Sequence, residues 1–364
     1  MSNATNNHVL IVAGGTGGHI FPGLAVAEEL KKNGVRLSWL GTSRGLENKV
    51  VTAAGIPLFI SSFKGIRGKG FSTLLFLPLT LLIAIFKMAR LFKKIKPDFI
   101  ACFGGYITVP VGLSASLMKI PFLVHEQNAV MGSANRLLSK ISDMVYVSYK
   151  NTKHAPTNAQ FVGNPLRDSF YEIDIPEKRW IGRTGPLRIL VLGGSLGAGT
   201  LNTHIPIILS KIARTHNLDL LILHQSGDRD RIKVDENYQN FGLKAEVKSF
   251  LEKVIDDYLW ADIVICRSGA GTLSEIAAVG VGSILIPLPN AIDNHQMLNA
   301  QLLLKSGAAI VVEEKNISGN EILSLFKEGS RSGLLAYAIQ ARKCGSTEAA
   351  VKITNKILKS MVKE

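Results

Sequence analysis

One local pattern opens both halves of the chain. The run His8-Val-Leu-Ile-Val-Ala13 has the continuous apolar character of a strand buried on both faces, and the turn Gly14-Gly-Thr-Gly-Gly18 follows it. Helical periodicity then runs from Pro22 through Leu30. After Asn164-Pro165, which breaks regular structure, the pattern restarts: strand Leu187-Arg-Ile-Leu-Val-Leu192, turn Gly193-Gly-Ser-Leu-Gly-Ala-Gly199, then a helical segment. A second strand ends at Gly41, and Phe99-Ile-Ala-Cys102, Phe122-Leu-Val124 and Met144-Val-Tyr-Val147 continue the first series at helix-length intervals. Leu220 to Leu223, Ile263 to Cys266 and Ser283 to Ile286 continue the second. Alternating strands and helices of this kind form parallel sheets, so the expected fold class is α/β: two Rossmann-like doubly wound domains separated by a ligand-binding cleft. A length of 364 residues suits two cores better than one. The expected domains are 8–164 and 165–345, with 346–364 a lysine-bearing helix packing back on the N-terminal domain.

Charge narrows the partners. Forty-two Lys and Arg against 28 Asp and Glu give +14, which calls for an anionic partner: nucleic acid, acidic lipid or phosphorylated substrate. The cysteines, Cys102, Cys266 and Cys344, are far apart and lack CxxC spacing, so neither a disulfide framework nor a zinc site is indicated. Met1 to His8 is polar and carries no signal-peptide pattern, which leaves a reducing cytoplasm as the expected compartment.

A glycine turn between a buried strand and a helix brings the backbone close to a ligand, and the helix N-terminus offers unpaired N–H groups to phosphate. Neither turn fits G-x-G-x-x-G: the third glycine of the first would fall at Ile20, and Ser195 interrupts the second. There is no G-K-[ST] ending, and Gly41 stands where a dinucleotide fold wants an acid, so NAD binding and P-loop ATP hydrolysis both lose ground. A third segment, Arg267-Ser-Gly-Ala-Gly-Thr-Leu-Ser-Glu275, opens another helix. Its small residues suit a diphosphate, and Glu275 a turn further on can accept from a ribose diol. Asp293-Asn-His-Gln-Met-Leu-Asn299 is rich in amide and imidazole groups of the kind that read sugar hydroxyls.

Seven segments in order closely resemble the MurG family within glycosyltransferase family 28. They are Gly14-Gly-Thr-Gly-Gly-His-Ile-Phe-Pro-Gly23, Gly41-Thr-Ser-Arg-Gly-Leu-Glu47, Phe103-Gly-Gly-Tyr106, His125-Glu-Gln-Asn128, Gly163-Asn-Pro-Leu-Arg167, Gly193-Gly-Ser195 and Arg267 to Glu275. That family adds N-acetylglucosamine to undecaprenyl-pyrophosphoryl-MurNAc-pentapeptide (lipid I), giving lipid II for peptidoglycan. The resemblance implies a GT-B fold, acceptor binding mainly by the N-terminal domain, UDP-GlcNAc binding by the C-terminal domain, and inversion without metal or cofactor. Carried over residue by residue, it implies donor contacts from Thr16, Gly17, Gly18, Asn128, Arg167, Ser195, Leu251, Ala270, Gly271, Thr272, Leu273, Ser274, Glu275 and Gln296. Leu251 would act through its backbone at the uracil and Glu275 on the ribose. Gly104, Gly105 and Tyr106 fall on the acceptor side, and His295 stands where some members carry Gln.

Transfer needs a base for the acceptor C4 hydroxyl and a way to accommodate charge on departing UDP. His19, at the end of the first glycine turn, is the candidate base, since an unperturbed His titrates near pH ~6.5. A positioning role for His19 stays open, and Glu126 is the rival base. Asp228-Arg-Asp230 formally matches the D-x-D string of metal-dependent transferases but reads as a helix cap, leaving the diphosphate to Arg167 and the helix start near Ala270.

Phe71 to Phe86 is an uncharged run of sixteen residues containing Pro78, short of the ~20 apolar residues a spanning helix needs. Lys64, Arg67, Lys69, Lys87, Arg90, Lys93, Lys94 and Lys96 surround it with no acid between. An apolar stripe flanked by bases suits a monotopic face on anionic lipid, and one side of it can also be core. The expected location is peripheral, on the cytoplasmic face of the bacterial inner membrane, with wall-synthesis or division proteins as further partners. The competing readings are a UDP-GlcNAc 2-epimerase and a non-catalytic nucleotide-sugar-binding subunit. A nucleic-acid-binding module ranks last, because no nucleic-acid motif accompanies the charge.

Overall fold

Two parallel sheets organise the chain, in a computed structural model that describes residues 7–43, 45–63, 76–194, 197–317, 321–322, 326 and 331–362. Met1–Asp168 and Thr347–Glu364 form one unit and Ser169–Ser346 the other. The expected boundary at 164/165 thus falls slightly before the observed one after Asp168.

The first unit holds a seven-stranded sheet in the order β3-β2-β1-β4-β5-β6-β7. Its strands are β1 (His8–Ala13), β2 (Arg36–Thr42), β3 (Leu58–Ser61), β4 (Phe99–Gly104), β5 (Phe122–Glu126), β6 (Met144–Val147) and β7 (Gln160–Phe161), all parallel. The helices are α1 (Gly17–Lys32), α2 (Glu47–Ala53), α3 (Leu77–Ile95), α4 (Thr108–Leu117) and α5 (Ser133–Leu138). Every residue of β1, β4 and β5 is buried, the signature of strands covered by helices on both faces. α1 begins at Gly17 rather than Pro22, because the glycines of its first turn carry no apolar period. Pro22 lies inside the helix and cannot donate to the Gly18 carbonyl, which leaves the first turn loosely bonded.

The second unit repeats the plan with six parallel strands in the order β10-β9-β8-β11-β12-β13. They are β8 (Leu187–Leu192), β9 (Leu220–Gln225), β10 (Lys244–Lys248), β11 (Ile263–Cys266), β12 (Gly282–Leu285) and β13 (Ala309–Val311). The helices are α6 (Pro176–Arg179), α7 (Gly199–His216), α8 (Arg231–Asn240), α9 (Val254–Trp260), α10 (Ala270–Val279), α11 (His295–Lys305) and α12 (Arg331–Lys343). Ile189, Val191, Ile265 and Ile284 from the central strands meet Leu201, Ile205, Leu209 and Ile212 of α7 in one apolar core. At the far end of the strands the buried Asp262 accepts from Arg183 at 2.8 Å, from Arg331 at 3.0 Å and from the Arg188 N–H at 3.0 Å, a structural ion cluster.

α13 (Ala349–Met361) returns to the first unit and packs on α1. Ala350, Ile353, Ile357 and Met361 form its buried stripe, while Lys352, Lys356 and Lys359 face solvent.

Candidate active site

In an open parallel sheet, ligands bind beyond the carboxyl ends of the strands where the strand order reverses. That reversal lies between β1 and β4 in the first unit and between β8 and β11 in the second. The segments leaving those strands are Gly14 to Thr16, Gly105 to Ile107, the stretch between Leu192 and Gly199, and Arg267 to Gly269, and each belongs to a motif singled out from the sequence. Parallel topology therefore gathers residues distant in sequence within each unit.

In the first unit, Thr16 is the N-cap of α1 with extended backbone and makes no capping hydrogen bond through its side chain. Thr16 and Gly18 are exposed, and no acidic residue occupies the first turn, so the helix N-terminus faces solvent with its positive dipole end uncompensated. The His19 ring lies against Gly104, whose φ is +113°; a Cβ there would come within 2.7 Å of His19 Cδ2 and 2.9 Å of Nε2. Glycine at 104 is thus required twice, for its backbone conformation and for the space the imidazole fills. Tyr106, 40% exposed, stands two residues on with its ring 6.2 Å from that of Phe63. Burial and the nearby Glu47 carboxylate raise the Tyr106 pKa, which keeps its hydroxyl protonated. Glu47 is fully buried and accepts from both the N–H and the hydroxyl of Thr42 at 2.6 Å, fixing the loop after β2.

Glu126 ends β5 and is 2% exposed. Its Oε1 accepts from the backbone and side-chain amides of Asn128 at 3.0 Å each, and its Oε2 from the Gly132 N–H at 2.9 Å and Asn135 Nδ2 at 2.8 Å. Four donors occupy its two oxygens and make Glu126 the anchor of the 127–135 loop. Next to it, burial lowers the His125 pKa to about 4, and the neutral ring bonds the Gly163 carbonyl at 3.0 Å while Gln127 Nε2 meets its other nitrogen at 3.0 Å. That bond ties β5 to the segment leading to Arg167, whose guanidinium sits 5.5 Å over the Phe21 ring of α1.

In the second unit, Ser195 lies outside the described residues. Gly197, with φ +77°, presses on Ser226: a Cβ there would come within 2.1 Å of the Ser226 carbonyl oxygen. Asn202 in the first turn of α7 donates to that same carbonyl at 3.0 Å and to Asp230 at 2.9 Å. Asp230 is the N-cap residue of α8, as expected of a helix cap, and its carboxylate accepts from Asn202 of α7 and from Arg229 rather than from the helix N–H groups. Among the described residues no group of three or more His, Cys, Asp or Glu could hold a metal ion.

α10 starts at Ala270 after Gly269, again without a side-chain cap or an acid in its first turn. Ala270 and Leu273 are buried, while Gly271 and Thr272 are partly exposed. Ser274 donates back to the Ala270 carbonyl at 2.8 Å, leaving its oxygen as an acceptor. Glu275 receives the Tyr258 hydroxyl at 3.0 Å, a partner on α9 that nothing local in the sequence signals. Leu251 is buried in the loop after β10. Gln296 sits in the first turn of α11 and its Oε1 accepts the Leu288 N–H at 2.9 Å, while His295 Nδ1 pairs with the Ile292 carbonyl at 2.8 Å.

α3 has two apolar faces. Ala84, Met88 and Phe92 are buried in the first unit, whereas Phe76, just before the helix, and Leu79, Leu82, Ile83 and Phe86 face outward, Leu82 at 64% and Phe86 at 59% exposure. Arg90 lies 4.5 Å over the Phe86 ring, and Lys93 and Lys94 occupy the last turn. No helix among the described residues is long and apolar enough to cross a membrane. Lys64, Arg67, Lys69 and the start of the apolar run lie outside the described residues.

Two parallel sheets, each with helix starts at its switch point, define the two-domain GT-B fold. The chain belongs to glycosyltransferase family 28: residues 9–147 match its N-terminal domain and 188–354 its C-terminal domain. It is 41% identical over 349 residues to the UDP-N-acetylglucosamine--N-acetylmuramyl-(pentapeptide) pyrophosphoryl-undecaprenol N-acetylglucosamine transferase of Polynucleobacter asymbioticus, covering 96% of each chain. The Nitrosospira multiformis protein of the same name is 42% identical over 341 residues, 94% of this chain and 95% of that one. Among solved structures, Acinetobacter baumannii MurG is similar with a TM-score of 0.83 and 34% identity, over 97% of this chain and 99% of that one. UDP-GlcNAc 2-epimerase from Neisseria meningitidis shares the fold at a TM-score of 0.65 and 17% identity, over 97% and 100% of the two chains.

Proposed function

We propose that this chain transfers N-acetylglucosamine from UDP-GlcNAc to the C4 hydroxyl of MurNAc in undecaprenyl-pyrophosphoryl-MurNAc-pentapeptide, inverting the anomeric carbon and forming lipid II. The observation that carries the reading is near-full-length identity, at 41–42%, to relatives whose names state that transfer. The epimerase alternative keeps only a shared fold at 17% identity.

The first unit serves the acceptor. His19 takes the C4 proton as the acceptor oxygen bonds to the sugar's anomeric carbon, and Gly104, Gly105 and Tyr106 border the acceptor sugar. The anomeric carbon–oxygen bond to UDP breaks in the same displacement, so no covalent sugar–enzyme intermediate is needed. The second unit serves the donor: the unbonded N–H groups at the start of α10, Ala270 to Thr272, with Leu273 and Ser274 beside them, bind the diphosphate, Glu275 the ribose, the Leu251 backbone the uracil and Gln296 the sugar, and Ser195 is a further donor contact. Thr16, Gly17, Gly18, Asn128 and Arg167 supply further donor contacts from the first unit. Charge on leaving UDP is met by helix dipoles and Arg167 without a metal ion.

UDP release from UDP-GlcNAc in EDTA tests the reading. Release that depends on a lipid-linked MurNAc-peptide and yields a disaccharide-lipid is the expected outcome. Consumption without acceptor would move the assignment to an epimerase or hydrolase.

The outward apolar face of α3, with Arg90, Lys93 and Lys94 beside it, supports the reading of a peripheral enzyme at the cytoplasmic face of the inner membrane, with wall-synthesis or division proteins as further partners. Leucine and phenylalanine side chains contribute about 1.5–3 kcal/mol each when fully buried. Leu82→Ser with Phe86→Ser should therefore weaken binding to anionic vesicles roughly a hundredfold. Turnover of a water-soluble acceptor should stay near wild type; unchanged vesicle binding in a sedimentation assay would remove α3 as the lipid-facing element.

A further inference from the structure

Glu314 lies in a 3₁₀ turn just after β13, at the edge of the second sheet, and belongs to none of the motifs read from the sequence. Its Oε1 accepts the Thr200 hydroxyl at 2.8 Å, from the first turn of α7. Its Oε2 pairs with Arg267 Nη1 at 2.5 Å, and the two side chains are only 24% and 15% exposed. The same Arg267 nitrogen also donates to the Ile286 and Pro287 carbonyls at 3.2 and 3.4 Å. Those carbonyls lie beyond the end of β12, where Pro287 lacks an N–H to continue the ladder. The next residue, Leu288, donates its N–H to Gln296 Oε1 at 2.9 Å.

A continuous series of contacts thus joins the first turn of α7 to three loops at the carboxyl edge of the sheet, after β11, β12 and β13, and ends on Gln296. The loop it reaches is a strained one. Asp293 and Asn294 both adopt left-handed backbone, at φ 52° and 53°. Asp and Asn visit that region more readily than other non-glycine residues, yet two in succession persist only where the surroundings fix them. Burial by itself raises the Glu314 pKa, but the bonds from Thr200 and Arg267 outweigh it and hold the carboxyl below its ordinary value, so Glu314 is ionised at neutral pH.

We infer that Glu314 is a positioning residue for the nucleotide-sugar site: through Arg267 it fixes the loop after β12 and thereby presents the Gln296 amide N–H2 to a hydroxyl of the donor sugar. The inference rests on the donor assignment above and adds a residue outside the ligand's reach that sets affinity for it. Glu314 touches no substrate; its effect passes through the loop and falls on donor binding rather than on the bond-breaking step.

The test is Glu314→Gln in the full-length chain, which keeps an acceptor for Thr200 but removes the charge that holds Arg267. The donor KM should rise about tenfold with kcat within about twofold, and UDP alone, which lacks the sugar, should bind within about twofold of wild type by calorimetry. Thr200→Val, a smaller change, should raise the donor KM about threefold, and the double variant should be no worse than Glu314→Gln alone. If Glu314→Gln fails to fold, the Thr200→Val shift in donor KM decides the matter. An unchanged donor KM in either folded variant, or a loss of thermal stability with both kinetic constants intact, overturns the inference and leaves the donor assignment standing. Failure of the wild-type chain to bind UDP overturns both.

Discussion

His19→Ala is expected to lower kcat by about 10²–10⁴-fold with both substrates saturating, while the thermal midpoint stays close to wild type. The magnitude is that of a lost general base, about 3–5 kcal/mol of barrier. The stability expectation follows from the site. His19 lies in an only partly buried first turn and packs on Gly104, which has no side chain to be left without support. Single-turnover transfer to a lipid-linked acceptor, monitored alongside thermal unfolding, separates the two effects. Nearly wild-type kcat in His19→Ala would remove the base assignment and leave His19 as a ligand-positioning group at most.

Glu126→Ala should do the opposite, costing about 3–5 kcal/mol of stability because four donors lose their acceptor in a site that is 2% exposed. Glu126→Gln is the sharper variant. Whichever way its amide turns, an NH2 group faces either the two Asn128 donors or the Gly132 and Asn135 donors. A lowered unfolding midpoint in both variants, with faster amide exchange at Gly132, is the expected result. Intact stability together with abolished kcat in Glu126→Gln would restore the carboxylate as the catalytic base.

The central strands of both sheets are legible in the sequence because burial on both faces writes them as unbroken apolar runs, as in His8–Ala13 and Leu187–Leu192. The strands that escape such a reading are β3, β7, β10 and β13, the two edges of each sheet. Lys244-Ala-Glu-Val-Lys248 pairs on one side only and has a single buried residue, so its strand character comes from the neighbouring β9 rather than from its own composition. The same division runs through the site. Glycine loops and helix starts are local features at strand ends, and topology alone brings them to the switch points. The side chains that hold them are not local: Tyr258 supports Glu275 from another helix, and Glu314 reaches Arg267 along the carboxyl edge of the sheet from beyond β13, two strands later in the chain. Asp228-Arg-Asp230 shows what context adds to a pattern: Asp230 takes the expected N-cap position, but its carboxylate is held by Asn202, remote in sequence.

The return of α13 to α1 gives the first unit two separate stretches of chain, with Ser169–Ser346 inserted between them. During synthesis, the α1 surface that receives Ile353 and Ile357 must wait uncovered until all of the second unit has been made. Domains generally fold as units while the chain is being made. The second unit can therefore mature as a finished insert while the first is still missing a helix, and the last step of assembly is the docking of one amphipathic segment onto a preformed sheet and helix layer.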